Sequence, residues 1–404
     1  MLFEFSFYSS LLLIFFVHGF VYAILLLRKS MVNEAMSDKW LSIFLFLCIL
    51  YIAPWMLGFG GWYDTQPYRD ILFYMPFHHL FFIGPVIFFY VQSLLNPSFK
   101  FGKREWLHLI PGVLYLLYSI VIVVTDKLIL HKYYFLGDGA DRDFDDWYQL
   151  SGYVSMIVYF IASIRYYNLY KKLLVQVVSY ADSVLFKWIR NFLIAFLIIL
   201  IVRFILFIIS FSVDLRYWDT WWYYFAFSIS FYYIAVTGYV SSVKTKMPFT
   251  TNLFTAKPAL LLHNAQTDRE VFEEAEIIDV ENTEEKEKDD DGFIAAWKEK
   301  ILQVVVTEEA FAEPELSLTD LAKKLNTNVS VLSKAINKSF GMNFNDFINY
   351  YRVQAVIEKL KAGEQKTQTL LGIAYDCGFN SKATFNRAFK KVTDTNPKNF
   401  IAAV

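Results

Sequence analysis

Seven uninterrupted apolar runs of about 20 residues occupy the first 245 positions: roughly Ser6–Leu27, Leu41–Trp62, Ile71–Leu95, Trp106–Val124, Tyr148–Ile164, Phe192–Phe211 and Thr220–Val240. Each is long enough to cross the hydrocarbon core of a bilayer as a helix, so the pattern predicts a seven-helix transmembrane bundle over 1–245. Past Glu315 the pattern changes from continuous apolar runs to helical spacing. Leu318, Leu321, Ala322 and Leu325 recur at turn intervals, a polar turn follows at Asn326-Thr327-Asn328, and Leu332, Ile336 and Phe340 resume the spacing before Gly341. The same skeleton then returns as Leu370, Ile373, Ala374 and Cys377, a turn at Gly378-Phe379-Asn380, and Phe385 with Phe389. Leu321 to Leu332 spans 11 positions and Ile373 to Phe385 spans 12, so the two copies differ by one residue in the turn. The repeat predicts two helix-turn-helix motifs, at about 317–341 and about 369–393, within a domain over 293–404. The whole chain is expected to be all-α.

A small alanine in each first helix, Ala322 or Ala374, lets a second helix cross closely. Between the copies, 343–361 reads as one long helix with Phe344, Phe347, Ile348, Tyr351, Ala355 and Leu360 facing a core. Such a connector would hold both second helices on one side, and one turn of B-DNA is about 34 Å. Two fixed helices could therefore enter successive major grooves.

The second copy carries a more specific pattern: Ile373-Ala374, Gly378-Phe379, Ser381, Phe385, Arg387 and Phe389-Lys390-Lys391. It resembles the AraC/XylS family of bacterial transcription regulators, whose DNA-binding domain reads I-A-x-x-x-G-F-x-S-x-x-x-F-x-R-x-F-K-K here. The resemblance implies sequence-specific binding of double-stranded DNA. The chain departs from the family afterwards: Asp394-Thr395-Asn396-Pro397 lacks the usual glycine, and Ile401 stands where an arginine is common. Altered backbone contacts are expected there, with the fold kept. The stretch from Gly84-Pro85 to Leu94 resembles one found in the membrane-bound, multi-span branch of the same family.

Composition agrees with a membrane part: 56% of the 404 residues are hydrophobic and 19% charged, with a mean hydropathy of +0.35. The first run is expected to be a retained spanning helix, since Glu4 sits where a cleavable leader would be basic. Connections one, three and five hold 11 lysines and arginines, against 5 in connections two, four and six. The positive-inside rule then places the amino terminus outside an inner (cytoplasmic) membrane and the carboxy terminus in the cytosol. Prolines 54, 76, 85 and 111 fall inside the runs and either kink packed helices or shape a cavity. Trp218, Trp221, Trp222, Tyr223 and Tyr224 are candidates for an interfacial aromatic belt.

Three features inside or between the runs could carry chemistry. Arg203 lies mid-run with no acidic residue inside any run to pair with it; it is either an anion-recognising group or a packing residue that stacks on rings, bonds free carbonyls or snorkels. His78 and His79 complete a candidate intramembrane ligand site, although neighbours on a helix diverge by about 100° and cannot chelate one ion. The fourth connection carries Asp138, Asp141, Asp143, Asp145 and Asp146, but Asp146 and Gly152 stand where a calcium loop needs glycine and glutamate, leaving an exposed acidic loop. No metal site and no cofactor are expected. Cys48 and Cys377 should not pair, because the bilayer interface separates their segments.

Charge is segregated near the end of the membrane part. Thirteen acidic residues against three basic ones fill 268–291, in an expected acidic flexible linker over 246–292. From Glu315 onward 13 basic residues face 7 acidic ones, and the linker is either a spacer or a shield for that surface. As a coil of about 50 residues it would span roughly 35–42 Å. A coil transmits no twist, so a signal would act through dimerisation, local concentration or linker order. The segment 293–306 reads as an amphipathic helix with Phe293, Trp297, Ile301 and Val305 on one side, for packing on the DNA-binding domain or for self-association.

If Leu332 and Ile336 are buried, Ser330, Ser333, Lys334 and Asn337 are displayed to base edges; likewise Lys382, Ala383, Asn386 and Arg387 opposite Phe385 and Phe389. Lys323, Lys324, Lys338, Lys390 and Lys391 are candidates for the DNA backbone. The expected function is a membrane-embedded one-component transcription regulator, not an enzyme: beyond Ser241 the glycines never form a phosphate-cradling loop. The expected partners are DNA, the lipid bilayer, a second copy of the chain, and a small-molecule, lipid or peptide signal. Proteolytic release of the DNA-binding domain, or a receptor- or transporter-like protein with a secondary DNA-binding domain, are the alternatives.

Overall fold

Ser6 and Ser9 close a capping box that starts α1 (Phe7–Asn33), and Glu34, left-handed at φ 52°, turns the chain into α2 (Met36–Phe59). The two helices pack together: Ser42 Oγ donates to the Ala23 carbonyl at 2.6 Å. This computed structural model describes residues 3–96, 99–181, 187–212, 217–240, 249–250, 259–262, 276–279 and 290–403. The chain divides into two units, one of Met1–Tyr167 with Phe186–Lys246, the other of Asn168–Leu185 with Met247–Val404.

In the first unit every apolar run falls on a helix, but the third does not form a single one. It splits into α3 (Tyr68–Tyr74) and α4 (Leu80–Leu95), and His78 and His79 lie in the non-helical stretch between them, contrary to the expected helical pair. Pro76 lies in that stretch, where it disfavours helix at the residue before it. Pro54 and Pro85 are inside α2 and α4. After α5 (Lys103–Leu107), Pro111 opens α6 (Ile110–Val123), where a missing N–H costs nothing. A π-helical turn at Val124–Ile129 extends α6. Then come α7 (Asp146–Val177), α8 (Lys187–Ile209) and α9 (Trp221–Val240).

Among the described residues four helices are long and apolar enough to cross a membrane: Phe7–Asn33, Met36–Phe59, Ile110–Ile129 and Lys187–Ile209. Their outward faces are apolar, as at Ile14, Val17, Val21, Leu117, Ile198 and Val202, which suits lipid and not water. The expected aromatic belt is only partly on the surface. Trp218 and Trp222 are exposed, whereas Trp221, Tyr223 and Tyr224 are core residues.

The acidic loop is also not simply exposed. Asp141 and Asp143 are buried. Asp143 Oδ2 accepts the backbone N–H groups of Phe77 (2.7 Å) and His78 (2.9 Å), and its Oδ1 accepts the Tyr115 hydroxyl (2.5 Å). The break in the third run leaves those amides without helical partners, and this carboxylate supplies the acceptor. Burial outweighs the hydrogen bonds and pushes the Asp143 carboxyl up to about 6.

The second unit departs from an all-α fold within 246–292. There Phe249–Thr250 (β1), Ala259–Leu262 (β2) and Glu276–Asp279 (β3) form an antiparallel sheet in the order β1-β2-β3, with Leu260 paired to both Phe249 and Ile278. Most of the acidic run 268–291 lies outside the described residues. Helix α10 (Asp290–Leu302) then continues into a π turn at Gln303–Thr307, and Ile301 and Val305 are buried as the amphipathic pattern requires.

Candidate nucleic-acid interface

Each helix of the tandem repeat begins where a polar side chain satisfies an orphan amide. Ser317 and Asp320 cap α11 (Leu318–Lys324), Asn328 caps α12 (Val329–Phe340), and Asn343 caps the connector α13 (Phe344–Lys361). Thr369 caps α14 (Leu370–Asp376) and Ser381 caps α15 (Lys382–Thr393). The chain closes with α16 (Pro397–Ala403).

The two turns are built alike. In the first, Asn326 is left-handed (φ 50°) and the Thr327 N–H returns to the Ala322 carbonyl at 2.9 Å; in the second, Gly378 is left-handed (φ 88°) and the Phe379 N–H returns to Ala374 at 3.1 Å. The one-residue difference falls after this point, because two positions separate Asn326 from the cap Asn328 and three separate Gly378 from the cap Ser381. Asn380 is the added residue. Glycine at 378 is required twice over, since a Cβ there would also lie 2.6 Å from the Phe311 carbonyl oxygen.

Packing yokes the pair. The second half of α13 contributes Val353, Val356 and Leu360 to one core with Ile373, Ala374, Cys377, Phe379, Phe385 and Phe389. Near the start of α13, Phe347 packs on Phe340 of α12 with ring centroids 4.5 Å apart. The expected inward residues Tyr351 and Ala355 are only half-buried. Beyond α15, Asp394 stands where the family commonly has glycine and is left-handed (φ 57°), a conformation that aspartate adopts more readily than most side chains.

Lys334 and Asn337 on α12, and Lys382, Ala383, Asn386 and Arg387 on α15, are exposed, while Ser330 is half-buried. Ser333 differs: it is buried, because Val329, Leu332, Ser333 and Ile336 form one i, i+3, i+4, i+7 stripe. Among the backbone candidates, Lys323 and Lys390 are exposed, Lys338 is half-buried, Lys324 pairs with Glu313, and Lys391 pairs with Asp346 at 2.6 Å.

The intramembrane candidates part company. Arg203 on α8 is 9% exposed, with its guanidinium over the rings of Tyr153 (5.6 Å) and Tyr223 (5.5 Å). Among the described residues no carboxylate bridges it, and its Nε has no hydrogen-bond partner. The Tyr51 hydroxyl lies 3.3 Å from that of Tyr153 and 3.2 Å from that of Tyr223, and the Tyr51 ring packs on His78 at 4.7 Å. His79 instead packs on Phe82 and is not among the rings around Arg203. Tyr51 and Tyr153 have no signal in the sequence beyond general aromatic abundance, and Tyr223 reads there as a belt residue.

Comparison with known proteins finds a family match within the C-terminal part and relatives that are similar over about a quarter of the chain. Residues 321–403 match a family described as helix-turn-helix domain. An uncharacterized HTH-type transcriptional regulator of Staphylococcus aureus is 32% identical over 102 residues, 25% of this chain and 13% of that protein. The TCP pilus virulence regulatory protein of Vibrio cholerae is 27% identical over 122 residues, 27% of this chain and 43% of that protein. A solved protein of unknown function from Listeria innocua is 30% identical, covers 26% of this chain and 95% of its own, and has a TM-score of 0.23. The chain thus spans about an eighth of the length of the staphylococcal relatives. Residues 321–403, which hold most of the first motif, the connector and all of the second, are thus similar to a helix-turn-helix domain.

Proposed function

We propose that this chain is a membrane-embedded one-component transcription regulator whose tandem helix-turn-helix binds promoter DNA in successive major grooves. The observation that carries the reading is the pair of matched turns held by one connector, with Lys334, Asn337, Asn386 and Arg387 exposed on the second helix of each copy. Arg387 is suited to grip guanine bidentately and Asn386 or Asn337 to read adenine, while Lys323, Lys338 and Lys390 hold phosphates. Ser330 and Ala383 flank these contacts, and Ser333 supports the helix from inside.

The membrane assignment rests on the four long apolar helices and on the lysine and arginine bias of the connections. Seven crossings, an outside amino terminus and a cytosolic carboxy terminus complete the reading. Within the bundle, Arg203 with Tyr51, Tyr153, Tyr223 and His78 is the place where an anionic or polar signal would be recognised, since a desolvated cation without a carboxylate favours an anion.

The test is to map chromosomal sites occupied by the full-length protein and by Arg387→Ala. Sharp sites for the wild type and their loss or broadening in the variant are expected. Equal occupancy by both would overturn the contact assignment, and absence of discrete sites for either would overturn the regulator reading.

A further inference from the structure

A stripe of buried polar side chains runs along the connector: Asn345, Asn349 and Arg352, spaced i, i+4, i+7, are 8%, 5% and 0% exposed. Neither helix-turn-helix explains them. Each is satisfied by main chain outside the tandem repeat, and part of that main chain is the segment that directly follows α7. Asn345 Nδ2 donates to the Val178 carbonyl and Asn349 Nδ2 to the Ser179 carbonyl, both at 3.1 Å. Arg352 Nη2 donates to Ser179 Oγ at 3.1 Å and to the Glu313 carbonyl at 2.6 Å, while its Nε donates to the Phe311 carbonyl at 2.8 Å. From the other side, Ser179 donates its N–H (3.2 Å) and its hydroxyl (2.8 Å) to the Leu316 carbonyl, and Val178 forms an isolated antiparallel bridge with Ser317. Val178 and Ser179 are fully buried.

We propose that Val178–Ser179 is the input of the DNA-reading unit: the two residues of main chain that follow α7, seated in a socket formed by Asn345, Asn349, Arg352 and Leu316, whose seating fixes the first helix-turn-helix against the connector. This rests on the DNA-binding reading above. The chemistry is selective for that occupant. The two asparagine amides and the guanidinium offer donors to carbonyl and hydroxyl oxygens, Leu316 offers an acceptor to an N–H, and among the described residues no carboxylate neutralises the arginine, whose pKa burial pulls down to about 10.

The position of the socket gives it leverage. Ser317, bridged to Val178, is the N-cap of α11, and the three donors belong to α13. A single two-residue segment therefore contacts the start of the first motif and the element that carries the second. Withdrawing it leaves buried donors unpaired, each worth more than a surface hydrogen bond, and releases the entry to α11. DNA binding must then restore that order, which weakens it. Helix α7 is shared between the units, with Asp146–Tyr167 in the first and Asn168–Val177 in the second. A signal thus has a helical route to the reading unit that does not pass through 246–292.

The experiment uses the full chain in lipid nanodiscs and a duplex selected in vitro by the wild-type protein. Ser179→Pro removes the N–H that binds Leu316 and lies outside the tandem repeat. Hydrogen exchange should show lost protection at 178–181 and 316–320, and affinity for the duplex should fall at least tenfold. Unchanged protection at 316–320 overturns the docking, and lost protection with affinity within twofold of wild type overturns its control of DNA reading. Failure of the wild type to select any duplex would instead sink the DNA-binding reading while the exchange data still tested the socket. As a second variant, Val178→Cys with Ser317→Cys should crosslink on mild oxidation, since bridged partners are within disulfide reach. The oxidised form should keep wild-type affinity; no crosslink, or a crosslinked form that no longer binds, overturns the proposal.

Discussion

The side-chain amide of Asn349 donates to the carbonyl of Ser179, 170 positions earlier in the chain, at 3.1 Å. That bond ties the connector between two helix-turn-helix motifs to a residue just beyond the end of α7, the helix after the acidic loop. It shows how the DNA-reading unit recruits chain from outside the tandem repeat.

Arg387→Ala should cost about 1–3 kcal/mol of specific DNA binding and relax the preference at one base pair. Lys390→Ala should weaken binding evenly across sequences and reduce the salt slope by about one. Fluorescence anisotropy across a salt series separates them; a uniform loss for Arg387→Ala would remove it from base readout.

Gly378→Ala and Gly341→Ala form a matched pair. Both glycines are left-handed, at φ 88° and 64°, but a Cβ at 378 meets the Phe311 oxygen at 2.6 Å and one at 341 meets nothing within 4 Å. The second change should cost about 1 kcal/mol and the first clearly more, read by thermal unfolding. Equal losses would mean that backbone conformation alone accounts for the glycine at 378.

Stability of the first unit should fall as pH rises through the Asp143 titration. Its folded carboxyl titrates at about 6 against an ordinary 3.8, so between those values the folded state holds the extra proton. The contribution is present below 3.8 and lost above about 6. Asp141 is shifted the same way by burial and by the neighbouring Asp143. Unfolding in detergent from pH 4 to pH 7 should show this slope, and Asp143→Asn should flatten it. A slope of the opposite sign would contradict the assignment.

Topology is open to cysteine labelling, because both native cysteines are buried. Phe5→Cys, at a position 75% exposed, should react with an impermeant maleimide in intact cells, and Lys398→Cys should react only after lysis. The reverse pattern would invert the orientation.

Much of the second unit could be read from the sequence because its determinants are local. Caps at Ser317, Asn328, Asn343, Thr369 and Ser381, apolar spacing and left-handed turn residues all act within a few positions. The burial of Ser333 escapes apolar periodicity because the stripe at i, i+3, i+4 and i+7 takes in one polar residue. The break at 75–79 and the burial of Asp143 depend on a bond across 65 positions, from the His78 N–H to Asp143. The seating of Ser179 depends on one across 170. Neither leaves a periodic trace, and an aspartate in an acidic loop looks the same whether it faces water or a broken helix.

Asn380 has a consequence for the target itself. Counted from the caps Asn328 and Ser381, Ser330 corresponds to Ala383, Ser333 to Asn386, Lys334 to Arg387 and Asn337 to Lys390. The two heads differ both in the turn that aims them and in the groups they carry. One copy of the chain would thus recognise two dissimilar half-sites in a fixed order. Such a sequence has a heading, and flipping it within a promoter would turn the bound protein to face the other way along the chromosome.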